Sequence, residues 1–355
     1  MFKAAKTVDF LILTYYTDDS KQRKRLSSLI RLYFPLYLSR RSVSFSALRT
    51  ERPINFLCRR RAAEWMIVME KFDSLIIGEV AQDTNVDFDG TVVQAVGGAV
   101  YYSGCAAANM GHKIAVLPKA DLSQLDVTAA FHEKAPSISV FPLNSPHSFV
   151  TKNVYHTADR ERRTSTVDSL IAPYTTDEVP VDQIDAAIWH LAGLAGGDIP
   201  NEMIPFAAKH AMVAIDVQTM LRWVENGGMV YHDWKEKKEL LPYIRFLKTD
   251  AAEAEILTGL TDRAEAAKVL YGWGAKEILI THNTEVLVYD GHEIYTCPIK
   301  ARNLSGRTGR GDTTFAGYIA ERQRGSVEEA LIEMYLAGVS VRRVEDITEA
   351  LWGSK

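Results

Sequence analysis

Past residue 72 the chain alternates between short apolar runs and longer stretches in which small and polar residues recur at helical spacing. "FDSLIIGEV" (72–80) is followed by "GCAAANMG" (104–111), a small-residue helix, and then by "KIAVLPKA" (113–120), again apolar. The same rhythm returns at "IDAAIWHLAG" (184–193), "AMVAIDVQ" (211–218), "IRFLKTD" (244–250) and "KEILITHN" (276–283), with helical stretches such as "AAEAEILTG" and "DRAEAAKVLYGWG" between them. Strands apolar on both faces belong in a parallel sheet covered by helices on each side. The pattern therefore predicts an α/β chain with a three-layer, doubly wound, mostly parallel sheet. Two segments, near 84–96 and 147–168, turn polar and alternating ("NVDFDGTVVQAV", "SFVTKNVYHTADRERRTSTV"). They predict a small, partly exposed β lid.

Composition adds limits to that picture. With 355 residues, 47% of them hydrophobic, the chain can bury one large core or two modest ones. Cys58, Cys105 and Cys297 have no paired spacing, which argues against a disulfide framework or a cysteine metal site and for a reducing, cytoplasmic setting. No apolar run reaches the roughly 18 residues of a membrane span, so stable membrane insertion is not expected. The formal charge of -4 hides an asymmetry: residues 1–65 hold 14 Lys+Arg against 5 Asp+Glu, and the remainder 27 against 40. A basic extension, residues 1–68, is expected to lie outside the fold, and a domain of residues 69–355 to carry it. Three readings of the extension stand side by side: a processed or upstream segment ahead of Met66 and Met69, an organelle presequence, and a membrane-surface helix. Nucleic acid is not an expected partner.

On an open parallel sheet, ligands bind outside the carboxyl ends of the strands. There the sequence places Asp83 after the first strand, Gly97 and Gly98 before the first helix, Asp250 after "IRFLK", and Gly309 to Asp312 before the last strong helix. Glycines let backbone approach a ligand, and a helix N-terminus offers unpaired N–H groups to an anion. Asp312 could then take the proton of a hydroxyl as its oxygen attacks phosphorus. Gly-x-Gly-Asp as a plain helix cap is the alternative.

Four segments together resemble the ribokinase-like (PfkB) family of carbohydrate and nucleoside kinases across about residues 70–345. "GRTGRGDTTFAGYIA" (306–320) is similar to the C-terminal signature, and "KTDAAEAEILTG" (248–259) to Lys-Pro-Asn-x-x-Glu-x-x-x-Leu-Thr-Gly. "GGAVYYSGCAAANMG" (97–111) resembles the N-terminal Gly-Gly signature, and "DVQTMLR" (216–222) the Asp-Pro-Gln-Gly-x-x-Arg stretch. The resemblance implies Asp312 as catalytic base and Gly309, Arg310 and Gly311 as the backbone anion hole. Arg310 stands where alanine is usual, either as a cation near the phosphates or as a side chain turned to solvent or a carboxylate, and Gly306 replaces the first signature aspartate. Asp250 and Glu253 take the positions associated with Mg²⁺ and phosphate, where an ordinary acidic helix start is the alternative. Asp83, Gly97, Gly98 and Tyr102 take substrate-contacting positions. Tyr102, where asparagine is usual, offers a ring and a hydroxyl and makes a nucleoside or cyclitol more plausible beside a sugar; of Tyr101 and Tyr102, at least one is expected in the core.

The nucleotide segment "THNTEVLVYDG" keeps Thr281 but has Asn283 in place of a glycine and is one residue short. The implied activity is phosphoryl transfer from ATP with Mg²⁺ to a sugar, nucleoside or cyclitol, with a monovalent cation as a further candidate cofactor. A ribokinase-like binding or regulatory protein that has lost catalysis is the competing reading. The polar inserts could serve as a lid or as a homodimer contact. Neither His-Glu-x-x-His nor Gly-x-Ser-x-Gly occurs. Arg310-Gly311-Asp312 as an adhesion signal would need an extracellular protein.

Overall fold

A computed structural model describes residues 70–157, 163–298 and 309–336, all within the unit Val68–Lys355. The N-terminal extension and Gly306 lie outside the described residues.

The strands run in chain order as β1 (Glu70–Glu79), β2 (Ala81–Val86), β3 (Val92–Gly97), β4 (Ile114–Ala120), the short β5 (Ser139–Val140) and β6 (Leu143–Asn144), β7 (Phe149–Tyr155), β8 (Arg163–Ser169), β9 (Ile184–Leu191) and β10 (Met212–Asp216). They continue as β11 (Arg222–Glu225), β12 (Gly228–Tyr231), β13 (Ile244–Asp250), β14 (Glu277–Thr281), β15 (Glu285–Tyr289) and β16 (Ile294–Pro298). Ten of the described strands form one sheet, in the order β16-β15-β14-β13-β10-β9-β1-β4-β5 with β6 beside β4. Pairing is parallel from β14 through β13, β10, β9 and β1 to β4, and turns antiparallel only at β14–β15–β16.

Alternation along these strands sends side chains to two helical layers. Ile76, Ile114 and Val116 face the helices Ala99–Asn109 and Arg310–Arg322, joining Val100, Ala316 and Ala320 in one buried cluster. Leu75, Ile77, Leu247 and Ile280 point the other way, onto Met203, Leu257, Ala266 and Leu270. Both faces are thus dry, which is why the strands read as apolar throughout.

β1 has β4 on one side and β9 on the other. The strand order therefore reverses at β1, and its carboxyl end opens the crevice where such sheets bind ligands. Directly beyond it lies the small sheet, ordered β11-β12-β8-β7-β2-β3. Its strands β2–β3 and β7–β8 occupy the two polar inserts. The hairpin β11–β12 was not anticipated, although its turn carries Asn226 and Gly227, both at positive φ (51° and 77°). Asn-Gly between alternating strands is the sequence signal of a type I′ hairpin.

Candidate active site

The acceptor-side candidates come together at the start of the helix Ala99–Asn109. Asp83, on β2, is buried and its Oδ1 accepts a 2.5 Å hydrogen bond from Thr151 Oγ1 on β7. A Cβ on Gly97 would stand 2.5 Å from Asp83 Oδ2 and 3.1 Å from the Tyr102 hydroxyl, so this glycine leaves the space in which carboxylate and phenol meet. Gly98 caps the helix at φ 107°, where a Cβ would lie 2.5 Å from the Glu79 carbonyl oxygen. A conformation and an approach of this kind require glycine.

Tyr101 and Tyr102 are both buried. Tyr101 belongs to the core: its ring packs edge-on to Phe131 at 5.2 Å and its hydroxyl donates to the Ala130 carbonyl. Tyr102 points the other way, and its ring lies against Gly309, where a Cβ would be 2.5 Å from Cγ. The backbone of Gly309 thus occupies part of the ring surface on which a base could have stacked. The Tyr102 phenol is held well above its usual range by burial, then by Asp83 and Asp312.

Gly309, at φ 79°, begins the helix Arg310–Arg322, and Asp312 sits in its first turn. The first N–H groups of a helix have no intrahelical acceptor. Ser103 Oγ donates to the Asp312 carbonyl at 3.2 Å, a second tie between the two glycine-rich helix starts. The Asp312 carboxyl is raised above the ordinary aspartate range by burial, against the pull of Lys248 and Arg222.

Asp250 and Glu253 form a capping box at the helix Ala251–Thr258. Asp250 Oδ1 accepts from the Glu253 N–H at 2.8 Å, and Glu253 Oε2 accepts from the Asp250 N–H at 2.9 Å. The remaining Glu253 oxygen, Oε1, accepts from Arg222 at 3.1 Å. Burial would raise the Glu253 carboxyl, but Lys248 and Arg222 outweigh it and the net shift is downward; Asp250 shifts up through burial and the neighbouring Glu253. Both Glu253 oxygens are engaged, so the pair does not suit direct two-carboxylate ligation. It suits a Mg²⁺ that keeps its waters and is reached from Asp250, the usual manner of binding for this ion. Among the described residues no group of three or more His, Cys, Asp and Glu side chains could hold a metal by itself.

Thr281 ends β14 directly beside Asp250 in the parallel register. Asn283 lies two residues on, exposed in the turn to β15, and that turn is short: Thr281 already pairs with Val286. Thr281 therefore belongs to the cluster and Asn283 stands at its margin.

Three charged residues here were not singled out from sequence: Asp216, Arg222 and Lys248. Lys248 Nζ and Asp216 Oδ2 are 2.7 Å apart, with both side chains almost fully buried. The available signal was a lone lysine inside the apolar run "IRFLKTD", since a charge in a buried strand requires a partner.

The pfkB family carbohydrate kinase model matches residues 148–348. The chain is 24% identical over 283 residues to a cytidine kinase of Thermococcus kodakarensis, covering 74% of this chain and 93% of that protein. A sulfate complex of a pyrophosphate-dependent kinase in the ribokinase family superimposes with a TM-score of 0.67 at 31% identity, covering 73% of this chain and 91% of that one. A pyrophosphate-dependent myo-inositol-1 kinase, studied in its conversion to a myo-inositol-3 kinase, gives 0.67 at 29% identity over 79% and 98%.

Proposed function

Because the chain belongs to the pfkB family of carbohydrate kinases and is a small-molecule kinase, we propose that it phosphorylates one hydroxyl of a small polyol, with Asp312 as the catalytic base. One observation carries this reading: Tyr102 joins the two halves of a phosphoryl-transfer site, its hydroxyl beside Gly97 and Asp83 and its ring against Gly309. An acceptor hydroxyl held by Asp83 would sit next to the first turn of the helix Arg310–Arg322.

The steps follow from those positions. Asp83, fixed by Thr151, accepts hydrogen bonds from acceptor hydroxyls. Asp312, its carboxyl raised by burial, takes the proton of the attacking hydroxyl as the O–P bond forms and the donor P–O bond breaks. Backbone N–H groups of Gly309, Arg310 and Gly311 donate to the phosphoryl oxygens, where charge must be stabilised in transit. Bound Mg²⁺ would neutralise donor phosphate charge, and Asp250 is the residue placed to hold its water shell. Thr281 flanks the donor.

The acceptor read here is a cyclitol or nucleoside in preference to a hexose, supported by the myo-inositol kinase at 29% identity and the cytidine kinase at 24%. For the donor, Mg-ATP is the family reading. Inorganic pyrophosphate is a second one, supported by the abrupt β14–β15 turn at Asn283, which leaves little chain to surround an adenosine, and by the pyrophosphate-dependent relative at 31% identity. The test is a turnover screen of myo-inositol, cytidine and ribose against Mg-ATP and Mg-pyrophosphate, with Asp312→Asn as control. Phosphorylated product that disappears in the variant supports the assignment, and a variant retaining more than about a tenth of wild-type kcat refutes the base, since loss of a general base typically costs ~10²- to 10⁴-fold.

A further inference from the structure

The small sheet carries a row of polar side chains for which the steps above have no use. Along β7, Thr151 and Asn153 are buried while Lys152 between them is exposed; along β8, Val167 is buried while Thr164, Thr166 and Asp168 are exposed. Asp83 and Asn85 on β2 stand opposite Thr151 and Asn153, and Asn153 stands opposite Ser165 on β8. Alternation therefore puts Asp83, Asn85, Thr151, Asn153 and Ser165 on one covered face. Apolar side chains are the ordinary filling of such a face.

Asn85, Asn153 and Ser165 are joined in series across the three strands. Ser165 Oγ donates to Asn153 Oδ1 at 2.6 Å, and Asn153 Nδ2 donates to Asn85 Oδ1 at 3.1 Å. There the series stops: Asn85 Nδ2 is buried and has no hydrogen-bond partner among the described residues. Turning both amides over reverses the direction of the series and leaves the Asn85 carbonyl unmatched instead. In either orientation one buried polar atom of Asn85 calls for a partner from outside the chain.

The position of that atom says which partner fits. Asn85 lies two residues beyond Asp83 on the same face, about 6.5 Å along the strand. That is the scale of a six-membered ring bearing hydroxyls on opposite carbons, and a hydroxyl, donor and acceptor at once, satisfies either orientation of the amide. A nucleoside gathers its sugar hydroxyls on one edge and needs a platform for its base, whereas part of the Tyr102 ring surface is taken by Gly309.

We propose that Asn85 is a specificity residue for the acceptor: its amide hydrogen-bonds a ring hydroxyl across from those held by Asp83, and the row Asn85, Asn153 and Ser165 selects a cyclitol over a nucleoside. The inference rests on the kinase site described above. Asn153, held by Ser165, fixes the Asn85 side chain in place, and Asn85 takes no part in the transfer of the proton or the phosphoryl group.

The test sets the side chain against single hydroxyls and reads binding without a donor, so that it does not depend on turnover. Full-length wild type and Asn85→Leu are titrated calorimetrically with myo-inositol, with each of its monodeoxy analogues and with cytidine. Wild type should bind myo-inositol at least tenfold more tightly than cytidine, and the analogue lacking the partner hydroxyl about 10- to 100-fold more weakly than myo-inositol. Asn85→Leu should lose a similar factor on myo-inositol, yet match the wild type within about threefold on that one analogue while keeping its loss on the others. A merely structural row would weaken all cyclitols by one common factor, which overturns the proposal, as does a wild type that prefers cytidine. Where the leucine variant does not fold, Asn85→Ala takes its place, and the wild-type panel alone overturns the proposal if every monodeoxy analogue binds within about threefold of myo-inositol. Wild type that binds cyclitols in the expected order but transfers phosphate from neither Mg-ATP nor Mg-pyrophosphate would overturn the kinase reading and uphold the role of Asn85. An active kinase whose Asn85 variant shows no hydroxyl-specific loss would do the reverse.

Discussion

His190 offers a test of how dry the layer behind the proposed transfer site is. It lies on β9, 1% exposed, with its ring edge-on to Phe315 at 5.0 Å, and among the described residues neither ring nitrogen has a hydrogen-bond partner. Burial, and then the positive charge of Lys248, push its pKa down from 6.5 to about 3. A group whose folded pKa is depressed destabilises the fold when the pH drops below its unfolded pKa, because the unfolded chain then binds the proton that the folded chain refuses. His190 should therefore leave stability untouched above about pH 7 and remove it progressively from about pH 6.5 down to about 3. At 1.36 kcal/mol per unit, moving from pH 7 to pH 5 should cost about 2 kcal/mol through this residue alone. Urea unfolding of the wild type and of His190→Leu at both pH values isolates the contribution, since every other titrating group is common to the two proteins. The variant should gain on the wild type by about 2 kcal/mol on acidification. If the two lose stability in parallel, within about 0.5 kcal/mol, His190 takes up a proton in the folded state and the layer behind the site is not closed to charge.

Three further outcomes follow from contacts at the site. Gly98→Ala forces a side chain to φ 107° and against the Glu79 carbonyl, and should lower stability by about 1–3 kcal/mol, read as thermal midpoint, before any kinetic effect is considered. Tyr102→Phe keeps the ring against Gly309 but removes the hydroxyl beside Asp83, so acceptor KM should rise about 3- to 10-fold with kcat little changed; an equal fall in kcat would show that the phenol acts on the transfer itself. Asp83→Asn keeps the shape and the Thr151 contact while removing the charge, and should reduce kcat/KM for the acceptor about 10- to 100-fold, an effect that would be missing if Asp83 served only to anchor β7.

What could be read in advance divides along physical lines. The parallel strands were legible because burial on both faces leaves unbroken apolar text, and the glycine pairs because close backbone approach tolerates no other residue. The pairing of Asp250 with Glu253 was legible as spacing, but its use was not: a capping box and a phosphate-side carboxylate pair have the same sequence, and only the contacts of Glu253 with Arg222 and the Asp250 N–H distinguish them. Tyr102 was placed at the acceptor from its position, yet its contact with Gly309 joins residues more than two hundred apart and has no local signature. Lys248 was visible as a charge inside an apolar run, but the partner that makes it tolerable, Asp216, lies on another strand and has no local signature.

The hairpin β11–β12 links the small sheet to the helix start at Asp250 and Glu253. Its first residue, Arg222, holds Glu253 through Nη2, and its turn joins the small sheet where Gly228 pairs with Thr166 on β8 and the Val167 N–H donates to Gly227. β8 in turn pairs with β7, and Thr151 on β7 fixes Asp83. A continuous path of backbone pairing therefore runs from the carboxylate that would receive the acceptor to the arginine that neutralises Glu253. A displacement of the small sheet on acceptor binding would act on both ends: it would carry Asp83 with it, and it would strain or relieve the hold of Arg222 on a carboxylate that is nearly inaccessible to water and has few other ways to be stabilised. The four-residue strands of this hairpin thus connect Asp83 to Arg222 and Glu253 within a single sheet.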